Sequence, residues 1–231
     1  MLRRLSRLIE SVQRWARTRI EEVHEVRGFR VVVENTRPDI ETPAVLARLD
    51  EALGLIEQYQ PWRLHHLRRD LAEFRVVRYP CRGAYFPQQR ACMTELTFLA
   101  RRDITAAPVA SSIIHEGMHA RVQRMGEFLG AQWQGDDRAR EERLCRKAEL
   151  QFGLALPPEL GAPVVERALA CLEMADDEVA PVIDWRIAHA RQELADLEAS
   201  TLPASLKRRL MDERRAIIDG ASAAATDRAD E

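Results

Sequence analysis

An α+β fold, predominantly helical, is what this 231-residue sequence predicts, and three observations carry that prediction. Short β-branched and aromatic runs are confined to residues 28–99. From Ala106 onward the apolar residues recur at helical spacing. Between the two regions lies "SSIIHEGMHARV" (111–122), with two histidines four positions apart around a glutamate.

Residues 2–20 read as an amphipathic helix. Leu2, Leu5, Leu8, Ile9, Val12, Trp15 and Ile20 fall on one stripe, and Arg3, Arg4, Arg7, Arg14 and Arg17 on the other side. Residues 1–27 are taken as this N-terminal segment, suited to packing on its own domain or a partner protein rather than on a membrane. "GFRVVVEN" (28–35) is a strand, "PAVLARLDEALGLIEQY" (43–59) a helix stopped before Pro61, and "LHHLRRDLAEF" (64–74) a shorter helix. "RVVRY" (75–79) and "ACMTELTFL" (91–99) are expected to form a hairpin across a long loop punctuated by Pro80, Gly83 and Pro87. "PVASSIIHEGMHARVQRMG" (108–126) opens with a proline suited to a first helical turn and is expected to end at Gly126, where the glycine-bearing loop "GEFLGAQWQGDD" (126–137) begins. "RAREERLCRKAELQFGLAL" (138–156) is the next helix, closed by Pro157 and Pro158. Three more amphipathic helices follow near 163–176, 179–199 and 203–218, and residues 219–231 read as a disordered tail. The organisation expected is thus a core over 28–156 and a C-terminal helical region over 157–218.

Hydrophobic residues make up 46% and charged residues 31% of the chain, the balance of a soluble domain with a proper core. A formal net charge of −2 gives no reason to expect a nucleic-acid partner. The N-terminus lacks the uninterrupted apolar stretch of a secretory signal, and no segment approaches the length of a transmembrane span. Cys81, Cys92, Cys145 and Cys171 are scattered, with no C-x-x-C pair, and read as buried thiols in a reducing compartment. The expected location is cytoplasmic.

In a helix, positions i and i+4 lie one turn apart on the same face, so His115 and His119 can each point one nitrogen at a single ion. Zn²⁺ is favoured because it accepts nitrogen ligands in tetrahedral geometry. Glu116 sits where its carboxylate can take a proton from an ion-activated water without being a ligand.

"HEGMH" resembles the signature of the zincin zinc metallopeptidases, and the downstream glutamates resemble its gluzincin branch; the resemblance covers roughly residues 75–153. It implies a compact zincin-like core with a small antiparallel sheet, an active-site helix and a return helix, binding one zinc ion with His115 and His119 as ligands and Glu116 as general base. The third histidine of the metzincins is absent, and Arg121 stands where the family prefers an apolar residue. A gluzincin takes a third ligand from a following helix, here Glu142, with Glu149 as second choice. Glu149 would otherwise steady a histidine, Cys145 would stay a buried thiol, and Glu141 would be solvated. The strand before the active-site helix borders the cleft in zincins, a role falling to "ACMTELTFL" or "GAYFP". Tyr85 is the better candidate to steady an oxyanion, and His189 the poorer. His65 and His66 read as surface residues.

The expected activity is hydrolysis of peptide bonds in a peptide or protein substrate. Its rivals are a non-catalytic helical interaction protein with a structural or vestigial metal site, working through its flanking helices, and a zinc hydrolase of non-peptide amides.

Overall fold

A computed structural model describes residues 21–129 and 138–227. The N-terminal helix expected over 2–20 and most of the loop expected over 126–137 lie outside them. The chain divides into two units, residues 1–180 and 181–231.

The first unit is built on a five-stranded sheet in the order β1-β2-β3-β5-β4, which is mixed and not the small antiparallel sheet expected. Strands β1 (Glu21–Val26) and β2 (Phe29–Glu34) form an antiparallel hairpin, while β2, β3 (Glu73–Val77) and β5 (Ala91–Glu95) run parallel. Strand β4 (Gly83–Phe86) turns back along the outside of β5 and closes one edge. "RVVRY" and "ACMTELTFL" are therefore parallel neighbours, not the two arms of a hairpin. β4, which the sequence reading left inside a loop, is the true hairpin partner of β5. β1 likewise lies at the end of the N-terminal segment 1–27, past the helix expected over 2–20.

One face of the sheet is apolar: Phe29, Val31, Val33, Phe74, Val76 and Cys92 are buried against the helices. The other face carries cross-strand ion pairs, Arg30 with Glu73 at 3.1 Å and Arg75 with Glu21 at 2.6 Å. The alternation follows from the side-chain period of two along a strand. "ACMTELTFL" ends as strand at Glu95, whose carboxylate accepts the Phe98 N–H at 2.8 Å. That N-cap starts the short helix α3 (Leu96–Ala100), which strand-type composition had masked.

Helices α1 (Thr42–Tyr59) and α2 (Pro61–Asp70) cover the sheet with Val45, Leu49, Leu53, Ile56, Leu64 and Leu67. Helix α4 (Ala107–Leu129) crosses the same face and buries Val109, Ala110, Ile113 and Ile114. It runs past Gly126, which is buried within it; a helix-interior glycine costs only about 1 kcal/mol. Helix α5 (Arg138–Ala155) returns beside α4, and α6 (Pro158–Leu172) packs along α5, so that α6 belongs to the first unit. The short α7 (Asp176–Val179) follows.

In the second unit α8 (Trp185–Ala199) and α9 (Ala204–Asp227) form a helical hairpin. α9 is helical through Asp227, into the stretch read as a tail, where its alanines favour helix. No helix of the described residues is long and apolar enough to cross a membrane.

The α5–α6 turn is closed by Gly161, where an added Cβ would stand 2.1 Å from the Gly153 carbonyl oxygen. Gly161→Ala should therefore cost about 1–3 kcal/mol of stability. The cost would be read as a lower urea midpoint at constant slope; an unchanged midpoint would show that α6 parts from α5 without penalty.

Candidate metal centre

The centre is a contact between two helices. On α4 the one-turn spacing puts His115 and His119 on the face that meets α5, with ring centroids 4.9 Å apart. On α5, Glu141, Cys145 and Glu149 recur every four residues, and Glu142 lies one position round. These four residues meet the histidines in antiparallel order.

Each imidazole is held from behind. His115 Nδ1 lies 2.6 Å from Glu149 Oε1, and His119 Nδ1 lies 2.7 Å from Glu141 Oε1. A carboxylate on Nδ1 fixes the ring's orientation and leaves Nε2 to face forward. The two Nε2 atoms accordingly stand 3.2 Å apart. The Glu142 carboxylate faces both, 3.2 Å from His115 Nε2 and 3.5 Å from His119 Nε2. Cys145 is fully buried beside them, and one ligand atom from each of His115, His119 and Cys145 lies within 4.8 Å of the others. This buried group could hold a metal ion. Two nitrogens bound to one zinc at about 2.0–2.1 Å in a tetrahedron stand roughly 3.3 Å apart, close to the spacing found.

Glu149 is itself held by Ser111 Oγ, which donates to Oε2 at 2.9 Å, and by Arg146, which donates to Oε1 at 2.6 Å. Neither was singled out in the sequence, although Ser111 lies one turn before His115 and Arg146 three residues before Glu149. Glu141, expected to be solvated, instead orients His119. Arg121 turns away from the centre towards Asp70, 3.4 Å off, where Arg69 and Arg124 also pair. Its charge is thereby accommodated without disturbing the histidine face.

Glu116 is buried on α4 against strand β4. The approach is close: a Cβ on Gly83 would lie 2.8 Å from Ser112 Oγ and 3.0 Å from Glu116 Oε1. A side chain there would have to displace the ends of the Ser112 and Glu116 side chains. Tyr85 projects from the same face of β4 two residues on, but the charges that act most on its phenol are Arg90, Glu127, Asp70 and Arg124, not the histidine pair. His189 belongs to the second unit, its ring centroid 6.5 Å from that of Trp185.

The electrostatics follow from crowding four carboxylates around two imidazoles. Burial opposes charge on His115 and His119, yet their hydrogen bonds outweigh it and raise both: Glu142 and Glu149 for His115, Cys145, Glu141 and Glu142 for His119. Burial would lift Glu142, but the two histidines pull it well below the usual carboxylate range. Glu116 is raised, first by burial and then by Glu142 and Glu149, against the pull of the histidines. Burial also pushes the Cys145 thiol up to about 11. The carboxylates thus favour positive charge at the imidazoles, and a divalent cation would supply such a charge in its place.

A divalent ion such as zinc held by these nitrogens would compete with protons for them. Calorimetric titration near neutral pH in buffers of different ionisation enthalpy should show net proton release, and affinity should rise with pH as the histidines give up their protons. A zinc isotherm independent of buffer would contradict protonated imidazoles at the site. No known family model, curated protein or solved structure is significantly similar to this chain.

Proposed function

We propose that this chain is a zinc-dependent peptidase of the gluzincin kind, with a zincin-like core, His115, His119 and Glu142 as ligands, and Glu116 as the proton-transfer group. The observation that carries the reading is the convergence of two Nε2 atoms and the Glu142 carboxylate, with Glu116 one residue from the first histidine. Zinc bound there supplies a Lewis acid beside a scissile carbonyl. Glu116 takes the proton of the attacking water and passes it to the departing amine. Its burial favours the protonated carboxyl, which suits a group that must carry that proton between two partners. Glu149 and Glu141 hold the two rings in register, and Ser111 and Arg146 hold Glu149.

Strand β4 supports a peptide as substrate. It is an edge strand, so its outer row of N–H and C=O groups can pair with an extended chain. Gly83 sets that edge against Glu116, which brings a paired peptide to the proton-transfer group. A cytoplasmic setting belongs to the same proposal and rests on scattered cysteines kept as thiols.

A second reading is favoured by Cys145. Were its sulfur to bind together with His115, His119 and Glu142, the set would have four protein ligands and be closed, as structural zinc sites are. A catalytic site keeps one position open. Cobalt substitution separates the two, because a thiolate ligand gives an intense near-ultraviolet charge-transfer band. The peptidase reading expects no such band and unchanged metal content in Cys145→Ser. A band lost in Cys145→Ser would establish the closed structural site.

Glu116→Gln should retain zinc in full while peptide hydrolysis falls about 10²–10⁴-fold. His119→Ala should lose both. Metal analysis and turnover of a mixed peptide pool check the pair; undiminished turnover in Glu116→Gln would end the assignment.

A further inference from the structure

The sheet has a second buried surface, on the side away from its helices. One cross-strand row runs Val23, Val32, Arg75, Met93, Ala84 from β1 to β4. Because side chains alternate along a strand, this row lies on the face opposite Val31, Phe74 and Cys92, which the helices bury. Even so, Val32 is 2% exposed and Met93 is 0% exposed, as is Ala91 two residues before Met93 on β5. None of the three belongs to the core cluster under the helices.

Neighbours within the row flank these side chains without roofing them. Ala84 offers Met93 a single methyl on one side. On the other, Arg75 turns its guanidinium to Glu21 at 2.6 Å and Glu73 at 3.2 Å, leaving its stem along the row. A methionine on a sheet face is fully withdrawn from water where a further layer lies over it. That layer stops short of β1, where Val23 is 54% exposed.

We infer that the chain's own N-terminal segment, residues 2–20, is that layer, its apolar stripe seated on Val32, Ala91 and Met93. The segment ends one residue before Glu21, the first residue of β1, whose side chain belongs to this face. Wound as a helix at about 1.5 Å per residue, it reaches about 28 Å, more than the roughly 19 Å across five strands. Its stripe of Leu5, Leu8, Ile9, Val12 and Trp15 suits an apolar floor. Charge agrees at the rim: Arg17 and Arg19 stand just ahead of β1, and Glu34, in register with Glu21, has no ion pair among the described residues. The segment would lie across the sheet from α4, so this inference stands apart from the proposed peptidase.

The test uses the full chain and reads the two faces of β5 separately, because Cys92 and Met93 are neighbours that point opposite ways. Hydrogen peroxide oxidises accessible thioethers, iodoacetamide alkylates accessible thiols, and mass spectrometry follows both residue by residue. In the wild type Met93 should oxidise roughly tenfold or more slowly than Met125, which is 48% exposed. Ile9→Asp combined with Val12→Asp puts two charges into the stripe and should raise the Met93 rate roughly tenfold while Cys92 stays unreactive. Met93 as reactive as Met125 in the wild type, or protection that survives the double substitution, overturns the inference. Should Met93 and Cys92 open together, the variant has lost its fold and a photocrosslinker decides. Val12 replaced by p-benzoylphenylalanine should crosslink to residues of β2, β3, β4 or β5 within one chain, shown by mixing isotope-labelled and unlabelled protein. Crosslinks to another surface, crosslinks joining two chains, or none at all would overturn the inference.

Discussion

The whole arrangement depends on the orientation of two imidazoles. A histidine pair one turn apart on a helix can point almost anywhere its rotamers allow, and most such pairs hold nothing. Here Glu149 and Glu141 take the Nδ1 atoms at 2.6 Å and 2.7 Å, and the Nε2 atoms are left 3.2 Å apart. All the supporting carboxylates come from α5. Packing α5 beside α4 is therefore the step that turns a spacing in the sequence into a site in space.

That packing concentrates negative charge in a place water barely reaches. Glu116 and Glu149 are buried and Glu142 is partly so, and among the described residues Arg146 is the permanent cation that pairs directly with one of them, Glu149. Buried carboxylates are tolerated when paired or when they face a cation. Positive charge on the imidazoles meets that need, and the pKa values of the histidines and of Glu142 accordingly move in opposite directions. The same electrostatics that make a divalent ion welcome make its binding compete with protons.

The sheet serves the centre by its edge. Because β3 and β5 are parallel, the chain between them must travel back along the outside, and it does so as β4. β5 is thereby enclosed on both sides, and of the two stretches considered for bordering the cleft only "GAYF" presents an open edge. Gly83 lets that edge lie close against α4, where an added Cβ would press on the ends of the Ser112 and Glu116 side chains.

Much of this was legible in the sequence. Helical spacing marked α1, α4 and α5 because each has one apolar stripe and ends near a proline or glycine, and "HEGMH" marked its histidines because i and i+4 share a face whatever the tertiary context. Strand pairing was not legible: "RVVRY" and "ACMTELTFL" have the composition of hairpin arms, and only the long-range ladder shows them parallel. Glu95 hid a helix start inside a β-rich run, since a capping carboxylate looks like any other until its N–H partner is in place. The choice among Glu141, Glu142 and Glu149 was equally out of reach, because which carboxylate meets which nitrogen depends on the axial offset between α4 and α5. Spacing along one helix is a local property that residues carry with them, whereas register between two helices is decided by the packing of the whole core.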